Sequence, residues 1–299
     1  MEHSPSILCC NTLSKSYGSI SAVNQLSFEI NEPGVYAILG KNGAGKTSLI
    51  KCALGLEPCS SGSIKIFGHA AGSIHAKLRT GVILQDSDLP DLLTIREQLT
   101  LFSSYYPKPL DINSTIEKCD LGDFVDRRYK QLSGGQKRRA QFALAVIGNP
   151  DLIFLDEPTT GLDVDARRTL WNVIREFARK GKTIVLTTHY LEEAENLADN
   201  IMVMAGGTMV ANATADKLKA QAQGSIIKCD TMLSESELQT LPQVIDVSVS
   251  GRFTHIQTSQ ANISLIALLQ ADPNLTDLSV NQPKLEDLFE QLSTQGEQV

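Results

Sequence analysis

The sequence lacks three features that would point to particular classes of function. No segment offers the roughly 18 consecutive apolar residues of a membrane-spanning helix, and residues 1–5 have no signal-peptide pattern, so we expect the chain to stay in the cytosol. Positive charge is not in excess, because 27 lysine and arginine residues face 34 aspartate and glutamate residues and the formal net charge is −7. This balance argues against a general nucleic-acid binder, and we interpret the local basic strip at residues 127–130 as a solvated face.

Cysteine pairs with metal-ligand spacing are the third missing feature. The six cysteines include no C-x-x-C pair, which predicts reduced, unpaired thiols and argues against a zinc site. The 299 residues, 42% of them hydrophobic, are enough for one large domain plus a smaller one. The cysteines are Cys9, Cys10, Cys52, Cys59, Cys119 and Cys229.

A glycine-rich loop is the most informative feature that is present. Residues 40–48 fit G-x-x-x-x-G-K-[ST], the phosphate-binding loop, with an apolar run before them and a helical pattern after them. The glycines let successive N–H groups converge on phosphate oxygens, Lys46 would reach the β- and γ-phosphates, and Thr47 would offer its hydroxyl to Mg²⁺. The predicted nucleotide-binding residues of the loop are Gly40, Lys41, Asn42, Gly43, Ala44, Gly45, Lys46, Thr47 and Ser48.

Two residues outside the loop have a position that fits nucleotide chemistry. Tyr17 precedes the loop by a short distance, where an aromatic ring can stack on an adenine or simply pack at a strand edge, and the residues alone leave both readings open. Gln85 ends an apolar strand pattern at residues 81–85. From about residue 92 the periodicity becomes helical, with breaks at Pro107 and Pro109, which predicts a helical insertion within an α/β domain.

The segment Leu-Ser-Gly-Gly-Gln at residues 132–136 predicts a helix start. Ser133 and Gln136 have the spacing of a capping box, which would be a purely structural role. The adjacent Gly134 and Gly135 lower helix propensity without contributing to such a cap. We therefore interpret this helix N-terminus as an anion-binding site as well.

Two further strands end in polar residues. The run at residues 152–155 is followed by Asp156 and Glu157, which would serve as an Mg²⁺ partner and as the acceptor of a proton from an attacking water. Standing alone, the two carboxylates would also fit a solvated turn. The strand predicted at residues 183–187 is followed by Thr188 and His189, whose imidazole could reach a γ-phosphate.

Taken together and in this order, these elements resemble the ATP-binding subunit of an ABC transporter over roughly residues 5–220. The resemblance implies an α/β P-loop NTPase fold with a helical subdomain at about residues 87–145, and ATP and Mg²⁺ as cofactors. It implies Glu157 as general base, His189 as γ-phosphate contact and Tyr17 as the adenine-stacking ring. Thr47, Gln85 and Asp156 would hold the metal, with Gln85 also acting as a sensor of the nucleotide.

The same resemblance implies a dimer that encloses two ATP molecules. Ser133, Gly134, Gly135 and Gln136 would act in trans on the ATP of the other copy, and Asp163 would communicate across the dimer. A homodimer is the simplest form. The helical insertion would meet an integral membrane permease, which implies a peripheral location at the cytoplasmic face of the plasma (inner) membrane. Lys41 and the Thr47-Ser48 pair depart from the commonest family pattern, but no needed group is lost and we expect hydrolysis to be intact.

The last part of the chain predicts a second domain. A polar connector at residues 217–224 separates a 1–220 ATP-binding domain from a 221–299 accessory domain with the order βαββαβ, which predicts a small ferredoxin-like α+β module. A final helix would carry Leu285, Leu288 and Phe289, and residues 283–289 resemble the C-terminal signature of exporter ATPases. A second hypothesis is a cytosolic ABC ATPase that acts on ribosomes or DNA, and a third is import instead of export, which the motifs alone do not exclude.

Overall fold

The computed structural model describes residues 5–85, 87–221, 224–281 and 289. The chain divides into two compact units, the first reaching Ala213 and the second beginning at Thr214. Among the described residues, no helix is both long enough and apolar enough to cross a bilayer.

The first unit is built around a sheet that is mostly parallel. Its six strands have the order β10-β9-β3-β8-β7-β6, and every neighbouring pair except β9 with β10 is parallel. A second, antiparallel sheet has the order β2-β1-β4-β5. The strands are β1 (Leu8–Tyr17), β2 (Ile20–Ile30), β3 (Val35–Leu39), β4 (Ser61–Ile66), β5 (His69–Ala70), β6 (Thr80–Ile83), β7 (Leu152–Asp156), β8 (Thr183–Thr188), β9 (Asn200–Ala205) and β10 (Thr208–Ala213).

The helices of this unit follow the local signals of the sequence. Ser133 caps the helix at the Leu-Ser-Gly-Gly-Gln segment through a complete capping box, as the spacing predicts, and Thr94 caps an earlier helix in the same way. A 3₁₀ turn, Tyr129–Gln131, precedes that segment. The helices are α1 (Lys46–Ala53), α2 (Ile74–Leu78), α3 (Ile95–Ser103), α4 (Ile112–Lys118), α5 (Gly134–Ile147), α6 (Val164–Arg179) and α7 (Leu191–Leu197).

Strands β7 and β8 lie in the middle of the parallel sheet and are buried along their whole length. A strand with helices on both faces must be apolar on both sides, which explains the unbroken hydrophobic runs that end at Asp156 and Thr187. The polar residues at the ends of these strands are therefore held by a rigid core. This arrangement fixes their side chains at one edge of the sheet.

The second unit contains one antiparallel sheet with the order β12-β13-β11-β14. Its elements follow one another in the expected order, and Ser234 caps α9 through a capping box. The connector expected at residues 217–224 is helical as far as Gln221, because alanine, lysine and glutamine are strong helix formers. Leu285 and Leu288 lie outside the described residues. The elements are α8 (Ala215–Gln221), β11 (Ser225–Asp230), α9 (Glu235–Gln239), β12 (Val244–Ser250), β13 (Phe253–Thr258), α10 (Ala261–Ala271) and β14 (Thr276–Asn281).

Candidate nucleotide-binding site

The carboxyl ends of the parallel strands meet at one cavity of ≈ 650 Å³. Strand β3 leads into the phosphate loop, β6 into Gln85, β7 into Glu157 and β8 into His189. Tyr17 reaches the same cavity from the end of β1, and its ring is 41% exposed there. The lining residues that the sequence singled out are Tyr17, residues 42–48, Gln85, Glu157 and His189.

The phosphate loop needs its glycines for space and for backbone conformation. A Cβ on Gly40 would lie 2.6 Å from the carbonyl oxygen of Met204, and one on Gly45 would lie 2.0 Å from that of Ala22. Gly45 also has a φ of +98° and precedes α1 without capping it by a side chain. The first N–H groups of α1 are therefore left for a ligand, as a helix N-terminus that binds an anion requires.

Lys46 is held inside the loop. Its Nζ donates to the carbonyl oxygens of Gly40 at 2.7 Å and Lys41 at 3.1 Å, and it lies 3.8 Å from Oε1 of Glu157. Burial lowers the pKa of Lys46, while the carboxylates of Glu157 and Asp156 oppose that shift. The ammonium group thus lies beside the acidic pair at the centre of the cavity.

Glu157 is surrounded by groups from four segments. Besides Lys46, its carboxylate contacts His189 Nδ1 at 3.3 Å, Thr160 Oγ1 at 3.2 Å and Gln85 Nε2 at 3.5 Å. Its backbone has a φ of +47°, a left-handed conformation that is costly for a residue with a side chain and typical of functional sites. A buried carboxylate held in this way can accept a proton from a water molecule in the cavity.

Asp156 has an oxygen that fits a metal ion. Its Oδ1 accepts hydrogen bonds from Thr187 Oγ1 at 2.5 Å and Thr47 Oγ1 at 3.3 Å. Its Oδ2 is buried and has no hydrogen-bond partner among the described residues. An orphaned carboxylate oxygen beside a threonine hydroxyl is the oxygen donor set that Mg²⁺ prefers, so Asp156, Thr47 and the nearby amide of Gln85 fit that ion.

The Leu-Ser-Gly-Gly-Gln segment does not line this cavity in its own chain. Gly134 instead lines a neighbouring groove of ≈ 360 Å³, together with residues 160–162 of the loop after Glu157. A Cβ on Gly135 would lie 2.8 Å from that of Ala166, so one of the two glycines has a packing role that the sequence did not indicate. Asp163 caps α6 by accepting a hydrogen bond from the Ala166 N–H at 2.8 Å.

Two threonines of the site were not singled out from the sequence. Thr187 Oγ1 accepts a hydrogen bond from the backbone N–H of Glu157 at 3.0 Å and donates to Oδ1 of Asp156, so it holds the main chain at Glu157 and the carboxylate of Asp156. Thr160 donates to Glu157. Thr187 could have been found because the apolar strand at residues 183–188 ends in polar residues. Thr160 could have been found because it places a hydroxyl three residues after Glu157.

A parallel sheet whose strand ends bring a phosphate loop, an acidic pair and a histidine to one cavity defines a P-loop nucleoside triphosphatase. A family model described as ABC transporter matches residues 23–160. Nod factor export ATP-binding protein I of Burkholderia orbicola is 35% identical over 290 residues, which cover 93% of this chain and 94% of that relative. The chain belongs to the ATP-binding subunits of ABC transporters, which are ATPases.

Further comparisons extend this result. Daunorubicin resistance ATP-binding protein DrrA3 of Streptomyces coeruleorubidus is 33% identical over 292 residues, which cover 92% of each chain. A solved structure of an ATP-binding subunit of an ABC transporter is similar with a TM-score of 0.65 and 27% identity, and it covers 72% of this chain and 92% of that chain. The two relatives by sequence therefore match a larger share of this chain than the solved structure does.

Proposed function

We propose that this chain is the ATP-hydrolysing subunit of an exporter, in which two copies enclose two ATP molecules and drive a separate membrane permease. The main support is the extent of the similarity. The relatives that match more than nine tenths of the chain are named for Nod factor export and daunorubicin resistance. A match of that length reaches into the second unit, which favours export over the other activities of the family.

In the cavity, each residue has a chemical role in this proposal. The ring of Tyr17 stacks on the adenine, and the N–H groups of residues 40–48 with Lys46 hold the phosphates. Thr47, Asp156 and Gln85 hold Mg²⁺, which supplies positive charge against the phosphates. Glu157 accepts the proton of the attacking water, and His189 contacts the γ-phosphate.

The dimer explains residues that the cavity leaves out. Gly134 has open space where its Cβ would be, apart from its own helix and chain neighbours. In the proposed homodimer, Ser133, Gly134, Gly135 and Gln136 cover the ATP of the other copy, and Asp163 communicates between the two sites. The helical subdomain at about residues 87–145 contacts the permease, at the cytoplasmic face of the plasma (inner) membrane. Residues 221–299 form an accessory or regulatory domain that follows the 1–220 ATP-binding domain in the sequence.

Glu157→Gln tests the cavity and the dimer together. The amide keeps the shape of the side chain but cannot take a proton, so we expect hydrolysis to fall by about 10² to 10⁴-fold while ATP binding persists. The ATP complex should then accumulate as a dimer, visible by light scattering after size-exclusion chromatography. Near wild-type turnover would count against Glu157 as the base, and a monomer with bound ATP would count against the enclosed dimer.

Purification from gently solubilised membranes tests the transport role. The tagged chain should retain a multi-spanning membrane protein, identified by mass spectrometry. Recovery of ribosomal proteins or nucleic acid with nothing from the membrane would leave the ATP chemistry intact and overturn the exporter proposal. The Lys46→Ala variant, processed in parallel, shows whether retention depends on bound nucleotide.

A further inference from the structure

A fully buried carboxyl group outside the cavity lies between the loops that carry Glu157 and His189. Glu193 is on α7, and its side chain has no exposed surface. A buried carboxyl group is costly unless hydrogen bonds or charges compensate, so its partners show what it holds in place. None of the roles proposed above uses this residue.

Side chains from three segments face Glu193. Nε1 of Trp171, on α6, donates a hydrogen bond to its Oε1 at 3.1 Å. The hydroxyls of Thr188, at the end of β8, and Thr159, in the loop after Glu157, also face the carboxyl group. Burial raises the pKa of Glu193, and the nearby polar side chains of Thr188, Trp171 and Thr159, together with the charge of Arg167, offset part of the rise. The carboxyl group therefore lies where α6, β8 and this loop meet.

The contact between Glu193 and Thr159 is incomplete. Oε2 of Glu193 and Oγ1 of Thr159 are both buried, and neither has a hydrogen-bond partner within the described part of the chain. Leaving a buried donor and a buried acceptor unpaired is unfavourable, and native proteins rarely do so without a reason. The unpaired hydroxyl of Thr159 faces the same carboxyl group that carries the unpaired Oε2.

Both threonines are next to residues that contact the phosphate side of the cavity. Thr160 follows Thr159 and donates to Glu157 Oε2 at 3.2 Å. Thr188 precedes His189, and its carbonyl oxygen accepts a hydrogen bond from the Gly40 N–H at 3.3 Å. A displacement of either threonine therefore moves groups that surround Glu157.

We propose that Glu193 is a positioning residue that ties the loop after Glu157 to the turn at His189, and that the hydrogen bond between Thr159 and Glu193 forms when ATP draws these segments together. The inference rests on the proposed hydrolytic role of Glu157. Glu193 acts only through its neighbours, because it is separated from the cavity by the residues that it holds. Its partner from α6 is Trp171, the one tryptophan of the sequence.

Three variants separate this role from a general effect on the fold. Thr159→Val removes the hydroxyl and keeps the shape, while Glu193→Met removes every polar contact of the carboxyl group. Each should lower kcat for ATP hydrolysis roughly tenfold or more with little change in KM. Glu193→Gln keeps an acceptor for Trp171 and gains an amide that can donate to Thr159, so it should restore most of kcat. Thr183→Val is the matched control, because it makes the same change at a buried threonine at the start of β8, away from Glu193.

The double variant and the tryptophan provide independent readouts. If the two residues act through one hydrogen bond, Thr159→Val with Glu193→Met should lose no more than Glu193→Met alone. Thr159→Val leaves the Trp171 contact in place, so its emission without nucleotide should match the wild type. We expect ATP and Mg²⁺ to change the emission of the wild type, and this change should shrink in Thr159→Val.

Several results would overturn the positioning role: wild-type kcat in Thr159→Val, additive losses in the double variant, or a wild-type emission that does not respond to ATP. If Glu193→Met fails to fold, the kcat values of Thr159→Val and Glu193→Gln still test the positioning role. Failure of the proposed hydrolytic function looks different, because the wild type and Glu157→Gln would then hydrolyse ATP at equal rates.

Discussion

Two glycine-containing helix starts, those of α1 and α5, solve the same physical problem in opposite ways. Both helices present unsatisfied N–H groups at their first turn. In α1 the N-cap is Gly45, and no side chain caps the helix. In α5 the N-cap is Ser133, and its capping box with Gln136 is complete in both directions.

This difference in capping indicates which kind of contact each helix N-terminus, that of α1 and that of α5, can make. The start of α1 has a lysine folded into its loop, carboxylates nearby and free N–H groups, so its polar groups are completed by a ligand within the same chain. At the start of α5 the N–H groups of Ser133 and Gln136 are paired within the chain by the capping box, and Gly134 faces open space. In the proposed function, the first start is therefore completed by the nucleotide, whereas the second is a preformed surface for the other copy of the dimer.

The largest expected effect is the loss of ATP affinity when Lys46, at the start of α1, is removed. In Lys46→Ala the phosphates lose a charged hydrogen-bond donor that contributes about 1.5–3 kcal/mol, so ATP affinity should fall by at least roughly tenfold. Isothermal titration calorimetry with ATP and Mg²⁺ measures this directly. Lys51→Ala, in the last turn of the same helix, is the control and should bind as the wild type does. Unchanged affinity in Lys46→Ala would remove the phosphate loop from the mechanism.

The parts of this comparison that sequence could predict are those with a local cause. The phosphate loop and the capping boxes at Ser133 and Ser234 depend on residues within a few positions of each other, and the structure has both boxes in place. The strand ends at Asp156 and Thr188 were also predictable, because a buried apolar run must stop where a polar residue begins.

The parts that sequence could not predict depend on distant residues. Thr187 links the Asp156 carboxylate to the backbone N–H of Glu157 from a strand about thirty residues later in the chain, and Gly135 packs against Ala166 from the next long helix. No spacing rule connects such pairs. Strands β9 and β10 were missed as well, although β9 completes one side of the parallel sheet next to β3.

The two glycines of α5 provide the next test, because their surroundings differ. Gly134→Ala places a methyl group in open space, so folding should be unchanged or slightly improved. In the proposed dimer, the same methyl group would crowd the ATP of the other copy at a cost of about 1–3 kcal/mol, so hydrolysis should fall roughly tenfold or more. Gly135→Ala instead meets Ala166 Cβ at 2.8 Å and should destabilise the isolated chain by a similar amount.

Thermal unfolding and steady-state hydrolysis, measured on both glycine variants, separate the two effects. Gly134→Ala should keep the melting temperature and lose turnover. If Gly134→Ala hydrolyses ATP at the wild-type rate, the open space at this glycine is not a contact surface for nucleotide, and the contrast between the two helix starts loses its functional meaning.

The smallest expected effect is that of removing a helix cap. A comparison of the caps of α5 and α9 separates the structural role of Ser133 from its proposed contact with nucleotide. Ser133→Ala and Ser234→Ala each remove a 3.4 Å hydrogen bond that the serine hydroxyl accepts from the N–H three residues later, and Ser234→Ala also removes the hydroxyl's hydrogen bond to Glu237 Oε2 at 2.7 Å. Each change should lower stability by about 1 kcal/mol, measured by denaturant unfolding. Only Ser133→Ala should also lower hydrolysis, because in the proposed dimer this hydroxyl contacts the nucleotide of the other copy. Equal turnover in the two variants would show that Ser133 only caps α5 and does not contact nucleotide.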